Sequence, residues 1–183
     1  MANTLNSGST QPQPISTTNT NTNNYYKVKF KDYSFSIPDN MMYKMQTNEI
    51  LVSNEEQTWI AELGILDGNF ITLKSNISVI QGNMNKEGCT AKPAELKTIN
   101  GVEVITLEFI YNGVNYISTY YRLNSINVAY TVTYTQNNDF DYSVVEKMVQ
   151  IISSAEYKPS ENGMLNNVKE KKLNQNIISE LAK

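Results

Sequence analysis

Two Asn-Gly pairs, Asn100-Gly101 and Asn112-Gly113, separate runs in which polar and apolar residues alternate, and no other feature of the chain narrows its fold so far. A two-residue hairpin turn that matches the twist of its strands needs positive φ at both central positions, which Asn-Gly supplies at the least steric cost. AELKTI, VEVITLEFIY and VNYISTYYRL are therefore read as consecutive antiparallel strands, and INVAYTVTYT, after a short Asn124-Ser125 connection, as a fourth. A two-residue turn at Asn112-Gly113 sets Tyr111 opposite Val114, Phe109 opposite Tyr116, Ile105 opposite Tyr120 and Glu103 opposite Arg122, all on one face. With the next turn centred on Asn124-Ser125, Tyr121 falls on the other face beside Val128, Tyr130, Val132 and Tyr134. The tyrosines then divide between both faces and form no single platform. Asn127, Ala129, Thr131 and Thr133 make the opposite, more polar side of the last strand, and Glu103 with Arg122 reads as a rim ion pair.

Upstream, Tyr26, Val28 and Phe30 alternate with lysines, and Tyr33, Phe35 and Ile37 alternate with serines, so this stretch reads as a hairpin turning at Lys31-Asp32. Pro38 ends it, and a loop is expected through Met41, Met42 and Met45. EILVSN and QTWIAELGIL form the next antiparallel pair, with Trp59, Ala61, Leu63 and Ile65 on one face. The period then changes. Leu73, Ile77, Ile80 and Met84 recur at helical spacing, which predicts one amphipathic helix capped by Asn69 or Asp67 and closed at Gly88. A last helix is predicted over about 139–154, with Val144, Val145, Met148, Ile151 and Ile152 on one side.

The ends differ from this middle. Residues 1–24 are Ser, Thr, Asn, Gln and Pro with almost nothing to bury, the composition of a disordered tail or tether. Residues 158–183 begin with a loop signal and continue with Leu173, Ile177 and Leu181 at four-residue spacing, which allows a short extra helix in a C-terminal tail. One domain over 25–157 remains. No apolar run approaches the ~20 residues of a membrane-spanning helix. The first residues lack the basic and apolar regions of a signal peptide. An extracytoplasmic or cell-surface location follows if an upstream anchor has been removed, and a cytoplasmic one otherwise.

Composition argues mainly by exclusion. With no histidine and a single Cys89, the chain lacks the commonest general base and the usual ligands of zinc, and no intrachain disulfide can form. A net charge of −3 gives no general attraction to phosphate backbones, so nucleic acid is not an expected partner. Asp139, Asp141 and Ser143 are spaced like the first ligands of a calcium loop, but Val144 and Gln150 stand where the glycine and the bidentate glutamate belong. Asn76-Ile77-Ser78 matches a glycosylation acceptor and falls inside the predicted helix. Glu55 and Glu56 lie in a turn with no acid-base partner. No catalytic constellation, cofactor or metal is expected.

The order of a hairpin with YSFSIPDN, a second hairpin, a helix ending near NKEG, a meander around ING and YNG, and a closing helix VVEKMVQIISSAEY resembles the PsbP/DcrB-like superfamily, most of all its small extracytoplasmic domains in low-GC Gram-positive bacteria. The resemblance covers about residues 25–157. It implies an α+β fold, an antiparallel sheet of about six to eight strands sandwiched by helices, and a role without catalysis, as in assembly factors, small-GTPase binders, photosystem subunits or chaperones. The expected function is a non-enzymatic domain that binds a protein or peptide on the less covered face of the sheet, with Tyr116, Tyr120, Thr131 and Thr133 as the surface; a homodimer is left open. The alternative is a small-molecule or lipid-binding module with an apolar pocket between sheet and helix, lined by Trp59, Met84 and Met148.

Overall fold

In the computed structural model, residues 24–159 are described. The tail read over 1–24 lies outside this range but for its last residue, and so does the helix read around Leu173, Ile177 and Leu181. Chain order begins with the expected hairpin, β1 (Tyr25–Phe30) and β2 (Tyr33–Pro38), turning at Lys31, whose φ is 51°. The methionine segment is not a loop. Met41–Met45 forms strand β3 and pairs with β4 (Glu49–Asn54), which pairs in turn with β5 (Trp59–Asp67). Pro38 ends β2 as expected, but the tight turn after it returns the chain directly to extended backbone, and Met41 and Tyr43 point into the core.

The predicted single helix is two: α1 (Phe70–Ser75) and α2 (Ile77–Lys86). Asn69 caps the first, its side chain accepting from the Ile71 amide at 2.8 Å. The break falls at Asn76, whose amide nitrogen Nδ2 donates to the Thr72 carbonyl and competes with continued helix. Leu73, Ile77, Ile80 and Met84 nevertheless all pack against one cluster, so the apolar stripe survives the break. Gly88 takes φ +84° just past the end of α2, the left-handed position that closes the helix.

A two-residue strand β6 (Thr90–Ala91) precedes the meander of β7 (Glu95–Ile99), β8 (Val102–Tyr111), β9 (Val114–Arg122) and β10 (Asn127–Thr135). Both Asn-Gly turns hold positive φ at both residues. Asp141 caps α3 (Tyr142–Ser153) by accepting from the Ser143 amide, and β11 (Glu156–Tyr157) closes the described chain. The large sheet runs β3-β4-β5-β10-β9-β8-β6, with β7 also on β8, and a three-stranded sheet runs β1-β2-β11. Fold class is thus α+β with antiparallel sheets.

Two apolar clusters lie on opposite faces of the large sheet. On one face the small sheet and α3 bury Phe35, Tyr43, Val52, Leu63, Tyr121, Val145 and Met148. On the other, α1 and α2 cover the β8 end, burying Phe70, Ile80, Ile105, Leu107, Phe109 and Val128. The main contacts of α1 and α2 are with β6, β8 and β9, and those of α3 are with β2, β5, β9 and β10. No described helix has its main packing on β3 or β4.

Candidate binding face

The register about Asn112-Gly113 is as expected: Tyr111 pairs with Val114, Phe109 with Tyr116 and Ile105 with Tyr120. The next register is displaced by one residue. Arg122 pairs with Val128, Tyr121 with Ala129 and Tyr120 with Tyr130. The cause is a three-residue connection, Asn124-Ser125-Ile126, in place of a two-residue turn. The Asn124 side-chain oxygen accepts from the Ile126 amide at 2.8 Å and from the Asn127 amide at 2.7 Å, which holds one more residue in the loop. Because side chains alternate with period two, that single residue moves every side chain of β10 to the other face.

The consequences reach each residue expected at the surface. Thr131 and Thr133 are buried, 0% and 2% exposed, on the face packed against α3 and the small sheet. Thr131 lies 3.3 Å from the Tyr121 hydroxyl, and Thr133 donates to the Ile117 carbonyl at 3.3 Å. Tyr116 and Tyr120 stay half-buried on the opposite face, where Tyr130, Val132 and Tyr134 now join them. Tyr116, Tyr120, Tyr130 and Tyr134 therefore share one face, while Tyr121 lies on the other, as expected. Tyr116 stacks on Phe109 with ring centroids 5.1 Å apart and lies 5.9 Å from Tyr134. Glu103 pairs with Lys74 of α1 at 2.8 Å and not with Arg122.

Next to this aromatic cluster the same face continues over β5 and β4. Tyr130 pairs with Gly64, Val132 with Glu62 and Tyr134 with Ile60; Glu62 then pairs with Leu51 and Gly64 with Glu49. Gly64 is where the Tyr130 ring lies down on the sheet, since a Cβ there would come within 2.3 Å of the ring. A glycine inside a strand marks such close approaches, and this was the one legible signal for Tyr130. Glu62 sits among these apolar neighbours. Burial pushes its carboxyl up to about 7, helped by the nearby Glu49. Burial also raises the Glu49 carboxyl and the phenols of Tyr116 and Tyr130. Neither glutamate is ion-paired among the described residues.

The pocket expected between sheet and helix does not gather its three residues. Trp59 and Met148 belong to the cluster under α3, whereas Met84 packs on the other side of the sheet. An open groove of about 630 Å³ lies beside α1, bounded by Phe70, Ile71, Lys74, Val102, Glu103 and Arg122. Among the described residues no three Cys, Asp or Glu side chains converge to hold a metal.

No protein-family model matches the sequence, and no curated protein is similar to it. Among solved structures, the chain is similar to the solution structure of cyanobacterial PsbP (CyanoP) from Synechocystis sp. PCC 6803, with 9% identity over 73% of this chain and 91% of that one and a TM-score of 0.45. It is similar as well to a crystal structure from Bacteroides thetaiotaomicron VPI-5482, with 14% identity over 75% of this chain and 50% of that one and a TM-score of 0.46. These likenesses concern the fold and carry nothing about activity or partner.

Proposed function

We propose that this chain is a non-catalytic interaction domain and that it binds a protein or peptide segment on the β10-β5-β4 half of the large sheet. The observation that carries this reading is the face itself: beyond Tyr116 and Tyr120, which border the cluster under α1 and α2, Tyr130, Val132 and Tyr134 of β10 continue a half-buried aromatic and aliphatic surface toward β5 and β4, and no described helix has its main packing on β4. Aromatic side chains supply large contact area at low entropic cost, and they dominate the energetics of protein interfaces. Glu49 and Glu62 at its centre favour a partner that offers hydrogen-bond donors, because an unpaired carboxylate in such a site is costly.

The test is native mass spectrometry of the chain purified from its own host, wild type beside Val132→Glu. A specific polypeptide mass retained by the wild type and lost from a folded variant supports the reading. A mass retained by both places the partner elsewhere. The groove beside α1 supports a second reading, a small amphipathic ligand held by Phe70 and Val102 with Arg122 at its rim. A bound small-molecule mass lost on Phe70→Ala or Arg122→Gln would favour that reading.

A further inference from the structure

Arg122 is the only arginine in the chain, and it ends β9 at the rim of the groove beside α1. It pairs with Val128, which shares an apolar cluster with Phe70, so its side chain is on the face that α1 covers. The acid that lines the same groove, Glu103, is taken by Lys74 at 2.8 Å, and the Arg122 guanidinium makes no ion pair among the described residues. The charges lining the groove therefore leave one cation over. Its other walls are apolar: Phe70, Val102 and Ile71, the last 58% exposed. Apolar surface continues past Ile71 through Ile126 and Leu66, 68% and 42% exposed. Both sit at this end of the sheet, where the Gly68 amide donates to the Ile126 carbonyl at 2.7 Å and Leu66 pairs with Val128. Single exposed aliphatic residues are ordinary, but three of them around a groove with a spare guanidinium describe a surface suited to a ligand that is apolar along its length and anionic at one end.

We infer that this groove binds a small aliphatic carboxylic acid, with Arg122 on the carboxylate and Phe70, Ile71 and Val102 along the alkyl chain. The inference rests on the second reading above, that the groove holds a small ligand, and it names the chemical class of that ligand. A guanidinium is planar and offers a carboxylate two parallel N–H···O bonds, which a lysine ammonium cannot do. One spare cation matches one negative charge. A phosphate dianion would leave its second charge unmatched beside Glu103, and like charges so placed repel. The volume of about 630 Å³ lies within the range of small-molecule sites.

Titration of the isotope-labelled full chain with butanoate, hexanoate, octanoate and octan-1-ol, followed by amide signals at pH 7, tests this. Octanoate is expected to shift the signals of Ile71, Lys74, Val102 and Arg122, and affinity should rise about two- to fourfold for each added CH₂ that the groove covers. Arg122→Gln should weaken octanoate by at least about tenfold and leave octan-1-ol unchanged, while Ile71→Ser should weaken both. Arg122 and Ile71 are exposed, so both variants keep the fold. Equal binding of octanoate and octan-1-ol, or octanoate binding that survives Arg122→Gln, overturns the carboxylate assignment and leaves the groove as a site for some other ligand. Shifts centred away from α1, or no saturable shift with any of the four compounds, overturn the inference and the groove reading together.

Discussion

Replacing Glu62 by Gln isolates the electrostatic character of the open face. Burial lifts the Glu62 carboxyl from its ordinary 4.5 to about 7, with Glu49 adding to the shift. Below the ordinary value the carboxyl is protonated in folded and unfolded chains alike, and it costs nothing. Between about 4.5 and 7 the unfolded chain releases the proton while the folded one retains it, so stability falls as pH rises; above 7 the loss is complete. At about 1.4 kcal/mol for each unit between the two values, this one group removes about 3 kcal/mol between pH 4.5 and pH 8. Glutamine keeps the shape and cannot ionise. Urea denaturation of wild type and Glu62→Gln across pH 4.5–8.5 should show the variant gaining on the wild type by about 3 kcal/mol, most of it between pH 5 and 7. Taking the difference between the two proteins cancels the titration of groups that do not interact with Glu62, including Glu156, which its lysine neighbours hold low. A difference that stays flat with pH would mean that Glu62 ionises freely, and the desolvated character of the face would be refuted.

Three further perturbations probe the packing that builds this face. Gly64→Ala should cost about 1 kcal/mol by lifting the Tyr130 ring off the sheet, and the cost should vanish in a Tyr130→Ala background; a double-mutant cycle by thermal denaturation reads the coupling. Asn124→Ala removes the acceptor for two loop amides and should destabilise by about 1–3 kcal/mol, with amide exchange in the β9–β10 connection rising first. Met148→Ala should cost about 2–5 kcal/mol because the side chain is fully buried, whereas the half-buried Met84→Ala should cost clearly less; equal losses in urea titrations would contradict the difference in their burial.

Most of the architecture was legible because it is governed by local rules. Asn-Gly turns, period-two runs and the Asn69 cap place eight of the strands and the first helical region where alternation and capping put them, and the apolar spacing of Val144 to Ile152 places the last helix. The makeup of the proposed binding face was not legible, for a reason that sits in one residue. Asn124 can be the first residue of a two-residue turn with Ser125 or close a three-residue loop with its own side chain, and sequence periodicity does not choose between them; the choice decides which face carries Tyr130 and Tyr134. Thr131 and Thr133 looked solvent-facing for the same reason, and they are buried because small hydroxylated side chains fit under α3 and the small sheet while bonding to Tyr121 and Ile117. The short strands β6 and β11 carry no alternation to detect, since two residues have no period. Met41–Met45 was hidden by composition, as methionine fills strands and loops alike.

The pairing of β11 with β2 also has a kinetic side. Ser34 and Tyr33 find Glu156 and Tyr157 as ladder partners, the Ser154 hydroxyl accepts from the Ser36 amide at 2.8 Å, and Lys27 meets Glu156 at 2.7 Å. The first hairpin to leave the ribosome therefore depends on the last strand of the domain for its outer edge, and on α3 for the cover of its apolar side. Until α3 has been synthesised, Phe35 and Ile37 have only a bare sheet to rest on, and the edge of β2 stays open to other chains. Closing contacts so distant in sequence is slow, in the millisecond-to-second range that long-range β topologies share. The domain is thus expected to acquire its native state in one late step after translation passes Tyr157, and ribosome-bound chains halted before that residue should remain sensitive to protease along β1 and β2.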